Sequence, residues 1–187
     1  MGLSPEQVSA VLVTKGDVDL GPILDSLPFA DIVIWNNSKR EDLKVYGRYA
    51  AIKEAKHPVL YSQDDDCVVD TAAIVAAYER GHVVCNMPAA KQAEYAAIAP
   101  GIALVGWGAC FDAAAVTVFD RYLERYGPDE LLLRECDRVF TCLNRTKLID
   151  VPITHLPQAF DGRMGNESRH LDDLAEIRRR IQTLKPQ

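Results

Sequence analysis

Short apolar runs alternate with longer segments of helical spacing through the first half of the chain. Val8 to Thr14 (VSAVLVT) is apolar and rich in β-branched residues, the composition of a strand covered on both faces. Lys15-Gly16-Asp17 supplies a turn, and Asp19 to Leu27 a short helical segment. Asp31 to Trp35 (DIVIW) predicts a second strand, closed by the turn residues Asn36-Asn37-Ser38. Helical spacing follows over Val45 to Lys56, then a third strand at Pro58 to Gln63 that ends in Asp64-Asp65-Asp66. Asp70 is placed to cap a helix beginning at Thr71, and Gly81 to close it, ahead of a fourth strand at His82 to Asn86. Strands separated by helices at this spacing predict βαβ units and a mainly parallel sheet.

The second half is less regular. Ile102 to Trp107 reads as a strand, Asp112 to Tyr126 as an amphipathic helix stopped by Gly127-Pro128, and Asp129 to Leu143 as a further helix. Lys147 to Thr154 reads as extended chain and Arg169 to Leu184 as a last helix, with a polar loop from Pro157 to Ser168 before it. There is no internal repeat and no Ser-, Gly- or Pro-rich linker. The expected fold class is therefore α/β: one Rossmann-like domain over residues 1–187, with a mainly parallel central sheet flanked by helices.

Composition narrows the function classes. Hydrophobic residues make up 48% and charged residues 26% of the 187 residues, ordinary values for a chain with a packed core. Lys and Arg number 21 against 27 Asp and Glu, so the net charge of −6 does not support nucleic-acid binding by counterion release. No run approaches the roughly 20 apolar residues of a membrane span, and MGLSPEQVSA lacks the basic start and apolar block of a signal peptide. The expected location is cytoplasmic. Cys67, Cys85, Cys110, Cys136 and Cys142 form no CxxC pair and sit among apolar neighbours, which predicts buried thiols.

In open parallel sheets, ligands sit beyond the carboxyl ends of the strands. Three such ends are polar here: Thr14-Lys15-Gly16-Asp17, Asn36-Asn37-Ser38 and Asp64-Asp65-Asp66. Successive carboxylates repel by about 1 kcal/mol per pair in water and by more in a cleft. A hard divalent ion relieves that repulsion; Mg2+ or Mn2+ commonly takes one or two carboxylates and completes its shell with water and phosphate oxygens. Side chains of extended chain alternate in direction, so Asp64 and Asp66 should share one side and Asp65 the other. The plain alternative is an acidic turn at the start of a helix.

The ordered set VLVTKGD, IVIWNNS and VLYSQDDDCVV resembles glycosyltransferases of the GT-A fold, most closely small members that include bacteriophage-encoded ones. The resemblance covers most of the chain and is strongest over residues 8–86. It implies a nucleotide-sugar-dependent transferase whose DXD motif holds a metal, Mn2+ or Mg2+, and the donor diphosphate. Residues 8–86 would then form the donor half and residues 87–187 the acceptor half. Thr14, Lys15 and Asp17 would line the base and ribose pocket, with Asn36 and Asn37 beside the nucleotide. Arg48, in YGRYAAIKEA, would contact the donor; Asp64 would approach the ribose or sugar, and Asp66 would bind the metal, with Asp65 beside them. UDP- and GDP-linked donors both suit the polar strand ends. As structural alternatives, Lys15 and Arg48 are surface charges and the asparagines a simple turn.

The resemblance also implies an acidic base in the second half. Glu135 and Asp137, in LLLRECDRVFTCL, are the candidates to take a proton from an acceptor hydroxyl; a helix salt bridge to Arg134 or Arg138 is the alternative. Gly106-Trp107-Gly108 would wall the acceptor site, or else form a core tryptophan with turn glycines. His155, after an extended segment, would be a further metal ligand. Arg163, Arg169 and His170 would close over the departing diphosphate, on a loop that Gly162 and Gly165 make mobile. A nucleotidyltransferase would carry a Gly-rich loop after the first strand, which TKGD lacks. A non-catalytic protein that binds nucleotide or metal for assembly is the alternative from a different class.

Overall fold

The computed structural model describes residues 2–92, 103–157 and 167–185, with side chains from residue 172 onward in the last segment. Eight strands are described: β1 (Val8–Thr14), β2 (Asp31–Asn36), β3 (Val59–Gln63), β4 (Cys67–Val69), β5 (Val83–Asn86), β6 (Ala109–Asp112), β7 (Thr146–Ile149) and β8 (Ile153–His155). The helices that pack on them are α1 (Gly21–Ser26), α2 (Gly47–Ala50), α3 (Thr71–Ala76), α4 (Val118–Tyr126), α5 (Glu130–Leu143) and α6 (Glu167–Leu184). Six strands form one sheet in the order β2-β1-β3-β6-β5-β7, and β4 pairs with β8 in a second, two-stranded sheet. The large sheet is mostly parallel; only β6 runs against both of its neighbours. This is the α/β, Rossmann-like arrangement expected.

The apolar strands are covered on both faces because their side chains alternate. Val11, Leu60 and Phe111 face one core, packed with Phe119 of α4, Phe140 of α5 and Ile177 of α6. Ala10, Leu12, Tyr61 and Cys110 face the other, against Ile23 of α1 and Ile74 of α3. Strands from both halves of the chain thus pair into one sheet, with β3 against β6. Cys67, Cys85, Cys110 and Cys136 are buried and Cys142 half-buried, all as free thiols. Among the described residues, no helix is long and apolar enough to cross a membrane.

Several boundaries differ from the sequence expectations. The expected strand at 102–107 is replaced, where described, by irregular backbone and a 3-10 turn at Val105–Trp107, and the strand itself is Ala109–Asp112. Gly108 causes the shift: its φ of +99° turns the chain, and a Cβ there would strike Ile74. The helix expected from Asp112 to Tyr126 is a 3-10 helix over Ala113–Thr117 that runs into the α-helix at Val118; Asp112 itself ends β6, and Ala113 N–H still donates to Pro58 O at 2.8 Å. The helix from Thr71 stops at Ala76, well short of Gly81. Asp112 draws the chain out of helix there, accepting from the Tyr78 hydroxyl and from Gly81 N–H, each at 2.7 Å. The helix expected over 45–56 is split into 3-10, α and 3-10 turns, with Gly47 pressed onto Trp35 and Val13 without room for a Cβ. The extended segment 147–154 is two strands in two sheets, separated at Pro152. Most of the polar loop 157–168 lies outside the described residues.

Candidate functional site at the carboxyl edge of the sheet

Because β6 is reversed, its first residue Ala109 meets Ser62 of β3 and Cys85 of β5. The segment before β6 therefore reaches the same edge as the ends of β1, β2, β3, β5 and β7. Three zones lie along that edge.

The first is the corner formed by β1 and β2. Thr14 Oγ1 accepts from Gly16 N–H at 3.0 Å, and Thr14 O accepts from Asn37 N–H at 2.9 Å. Gly16 has φ +85°, with Asn36 and Ser38 where a Cβ would stand. Asn36 Oδ1 accepts from both the backbone N–H and the hydroxyl of Ser38, at 2.9 and 2.7 Å. Asn37 uses both ends of its amide on the next loop, donating to Lys44 O at 3.1 Å and accepting from Leu43 N–H at 3.0 Å. The two turns are interlocked, so Asn36 and Asn37 build the corner. Lys15 and Asp17 are exposed on it.

The acidic turn occupies the centre. Gln63 is fully buried and clips the turn closed, accepting from the Tyr61 hydroxyl at 2.7 Å and donating to Cys67 O at 2.8 Å. Asp64 N–H donates to Gly106 O at 2.7 Å, and Leu156 N–H to Asp66 O at 2.8 Å. Asp64 and Asp66 are half-buried while Asp65 is 6% exposed.

Arg48 is not a surface charge. It is 1% exposed; Nη2 pairs with Asp64 Oδ1, Nη1 lies 3.5 Å from Ser62 Oγ, and Nε stands 3.7 Å from Asp137 Oδ1 without a hydrogen bond. The same Asp137 Oδ1 accepts from the Tyr49 hydroxyl at 2.6 Å. Asp137 comes from α5, whose backbone leaves helical geometry at Glu135 (φ −109°, ψ 17°). Burial pushes the Asp137 carboxyl up and Asp64 adds to this, while Arg48 and the Tyr49 hydroxyl oppose it. Burial pulls the Arg48 guanidinium down, but Asp137 and Asp64 outweigh it and hold it charged. Glu135 is paired with Arg138 inside the helix, so Asp137 is the member of the ECD segment brought to the acidic turn.

The third zone lies beside β5 and β7. Asn86 clamps the chain after β7, donating to Val151 O at 3.0 Å and accepting from Val151 N–H at 2.9 Å. A pocket of about 390 Å³ opens there between Pro88, Trp107, Asp150, Pro152 and His155. Trp107 is half-buried, with its ring edge-on to His155 at a centroid distance of 6.0 Å. Gly106 is needed on its own account, since a Cβ there would overlap the Asp64 carboxylate.

The register of β4 with β8 sets His155 opposite Cys67, next to Asp66 in the chain. Asp64 is drawn to Arg48, which leaves Asp66 and His155, one carboxylate and one imidazole, as the candidate donors of the acidic turn and β8. Among the described residues no group of three or more Asp, Glu, His or Cys side chains surrounds an ion site. A two-donor set fits an ion that keeps water and phosphate oxygens in its shell. Arg163 lies outside the described residues, as do the side chains of Arg169 and His170 in the first turn of α6.

Tyr49 was not legible as a site residue, because its role depends on a contact 88 positions away. Asn86 had a signal, a polar residue at a strand end like Asn36. Fold and edge together define an α/β protein whose polar strand ends gather at one edge of the sheet, where such sheets commonly place ligands. The chain matches no protein-family model, and comparison with curated proteins finds no significant match.

Proposed function

We propose that the protein is a metal-dependent glycosyltransferase that moves a sugar from a nucleotide-sugar donor to a hydroxyl acceptor. One observation carries the reading: the acidic turn stands between a rigid polar corner and a tryptophan-walled pocket, with its first carboxylate held by the buried Arg48. The corner, with Thr14, Lys15 and Asp17, suits the base and ribose of a UDP- or GDP-linked donor. Asp66 and His155 would hold the ion, and the mixed oxygen and nitrogen set favours Mn2+ over the more strictly oxygen-seeking Mg2+. When bound, that ion neutralises the diphosphate as it leaves.

The chain's own residues would orient the reactants and receive the proton. Arg48 fixes Asp64 toward the ribose or sugar. For a transfer that inverts the anomeric centre, the acceptor oxygen bonds to the anomeric carbon as the carbon–oxygen bond to the diphosphate breaks. The bonding pair departs with the nucleoside diphosphate, and the hydroxyl proton passes to Asp137. Its Oδ1 is engaged by Tyr49 and faces Arg48, which leaves Oδ2 as the accepting atom. A carboxyl raised by burial is a better base than an exposed one.

Incubation with UDP- and GDP-sugars and Mn2+ is expected to release nucleoside diphosphate slowly. Asp66→Ala should abolish that release while the circular dichroism spectrum stays unchanged. No release from any donor would overturn the reading in favour of a non-catalytic binding protein.

A further inference from the structure

The large sheet has two outer strands, and they are guarded differently. β7 is four residues long; its Lys147 is ion-paired with Glu79 at 2.9 Å, and Arg145, Asp150 and Pro152 flank it. Charges and prolines of that kind keep an edge strand from pairing with another chain. β2, at the opposite edge, is six residues long, and its Ile32-Val33-Ile34-Trp35 run carries no charge, proline or glycine. Asp31, at its start, is turned inward and held by Ser9 and Lys56. Among the described residues no strand pairs with the outer side of β2, and Ile32 to Asn36 are all half-buried.

We propose that β2 pairs antiparallel with β2 of a second copy about a two-fold axis, joining two six-stranded sheets into one. Nothing in this pairing depends on the transferase reading. Residues opposite each other in an antiparallel pair lie on the same face of the sheet, so only positions of equal parity can be matched. An axis through Ile34 sets Ile34 opposite Ile34, Val33 opposite Trp35 and Ile32 opposite Asn36. Aromatic and β-branched residues are favourable cross-strand partners, and no like charges meet. An axis through Val33 would instead set Asp31 opposite Trp35, against the inward knot that already holds that carboxylate.

Charge selects a second copy as the occupant. The chain enters β2 from α1 past the exposed Asp25 and leaves it past the exposed Lys39, and neither is ion-paired among the described residues. Antiparallel pairing brings the amino end of one β2 to the carboxyl end of the other. Asp25 of each copy is thereby drawn toward Lys39 of the other, twice per dimer. An unrelated extended peptide has no reason to match both ends in this way. The two acidic turns, beyond β3, then face opposite directions and stay uncovered.

Analytical ultracentrifugation of the full chain across the micromolar range is expected to show a monomer–dimer equilibrium. Hydrogen exchange should slow in β2 as the dimer forms and stay unchanged in β7. Ile34→Lys, which places a charge at the axis, should weaken association at least tenfold. Lys39→Glu and Asp25→Lys are exposed changes that spare the core; each should weaken it about threefold, and the double reversal Asp25→Lys/Lys39→Glu should restore it. A monomer at every concentration, a dimer that leaves exchange in β2 unchanged, or single reversals without effect would overturn the inference. A chain that stays monomeric while an added strand peptide slows exchange in β2 would overturn it in favour of a peptide partner.

Discussion

The two ends of the parallel strands both bury carboxylates, and they treat them in opposite ways. At the amino end, Asp31 Oδ2 accepts from the Ser9 hydroxyl at 2.6 Å and from Lys56 N–H at 2.9 Å, and Lys56 Nζ stands 3.3 Å from Oδ1. The Ser9 oxygen in turn accepts from His57 N–H at 3.0 Å. The Ser9 hydrogen bond, with those from Lys56, holds the Asp31 carboxyl below the usual range. At the carboxyl end, one buried guanidinium stands between two carboxylates, its Nε has no hydrogen bond, and Asp137 is pushed up. The satisfied knot ties β1, β2 and the approach to β3 together. The second knot is unbalanced, and perturbed groups of that kind gather at functional sites.

The contrast breaks most visibly at Arg48. Arg48→Met removes the cation that, among the described residues, stands between Asp64 and Asp137, and should cost about 3–5 kcal/mol, the penalty of leaving buried charge uncompensated. Urea unfolding measures it, and the double variant Arg48→Met/Asp137→Asn should recover part of the loss. Unchanged stability in the single variant would mean that the carboxylates are solvated and the contrast false.

A smaller effect is expected at the other end. Asp31→Asn should cost about 1–3 kcal/mol at neutral pH, because the amide cannot accept every bond that the carboxylate does. The native carboxyl is lowered, so its contribution is present above the unfolded value near 3.8 and is lost as pH falls through the folded value. The gap between wild type and variant in urea midpoint should therefore narrow below about pH 4. Asp137 has the opposite sign: its folded value is raised, so its contribution to stability falls as pH rises from 3.8 through that value.

Tyr49→Phe is the mildest test. The ring keeps its packing on Phe119 and Phe140, at 4.7 and 4.9 Å, and only the hydroxyl that donates to Asp137 is lost. About 1 kcal/mol of stability should go with it. Because that hydroxyl favours ionised Asp137, its loss should move the acid limb of the pH profile for donor turnover upward. An unmoved limb would remove Asp137 from the role of base.

The strand cores were legible because burial on both faces demands unbroken apolar runs, as in Val8–Thr14 and Val59–Gln63. The polar strand ends were legible for the complementary reason, that chain leaving a sheet needs turn chemistry. What misled was segment 102–126, where glycines and an alanine-rich stretch suit several conformations. There the β3–β6 pairing through Pro58 O decided where strand gave way to helix.

Local patterning by itself determined the α/β class, the mainly parallel sheet and the polar character of its carboxyl edge, since these follow from periodicity and turn chemistry within a few residues. Tertiary packing alone decided that Arg48 is buried, that Asp137 rather than Glu135 joins it with Tyr49, and that His155 lands beside the acidic turn. Those outcomes depend on how separate elements are brought together across the sheet, and no short stretch of sequence contains that information.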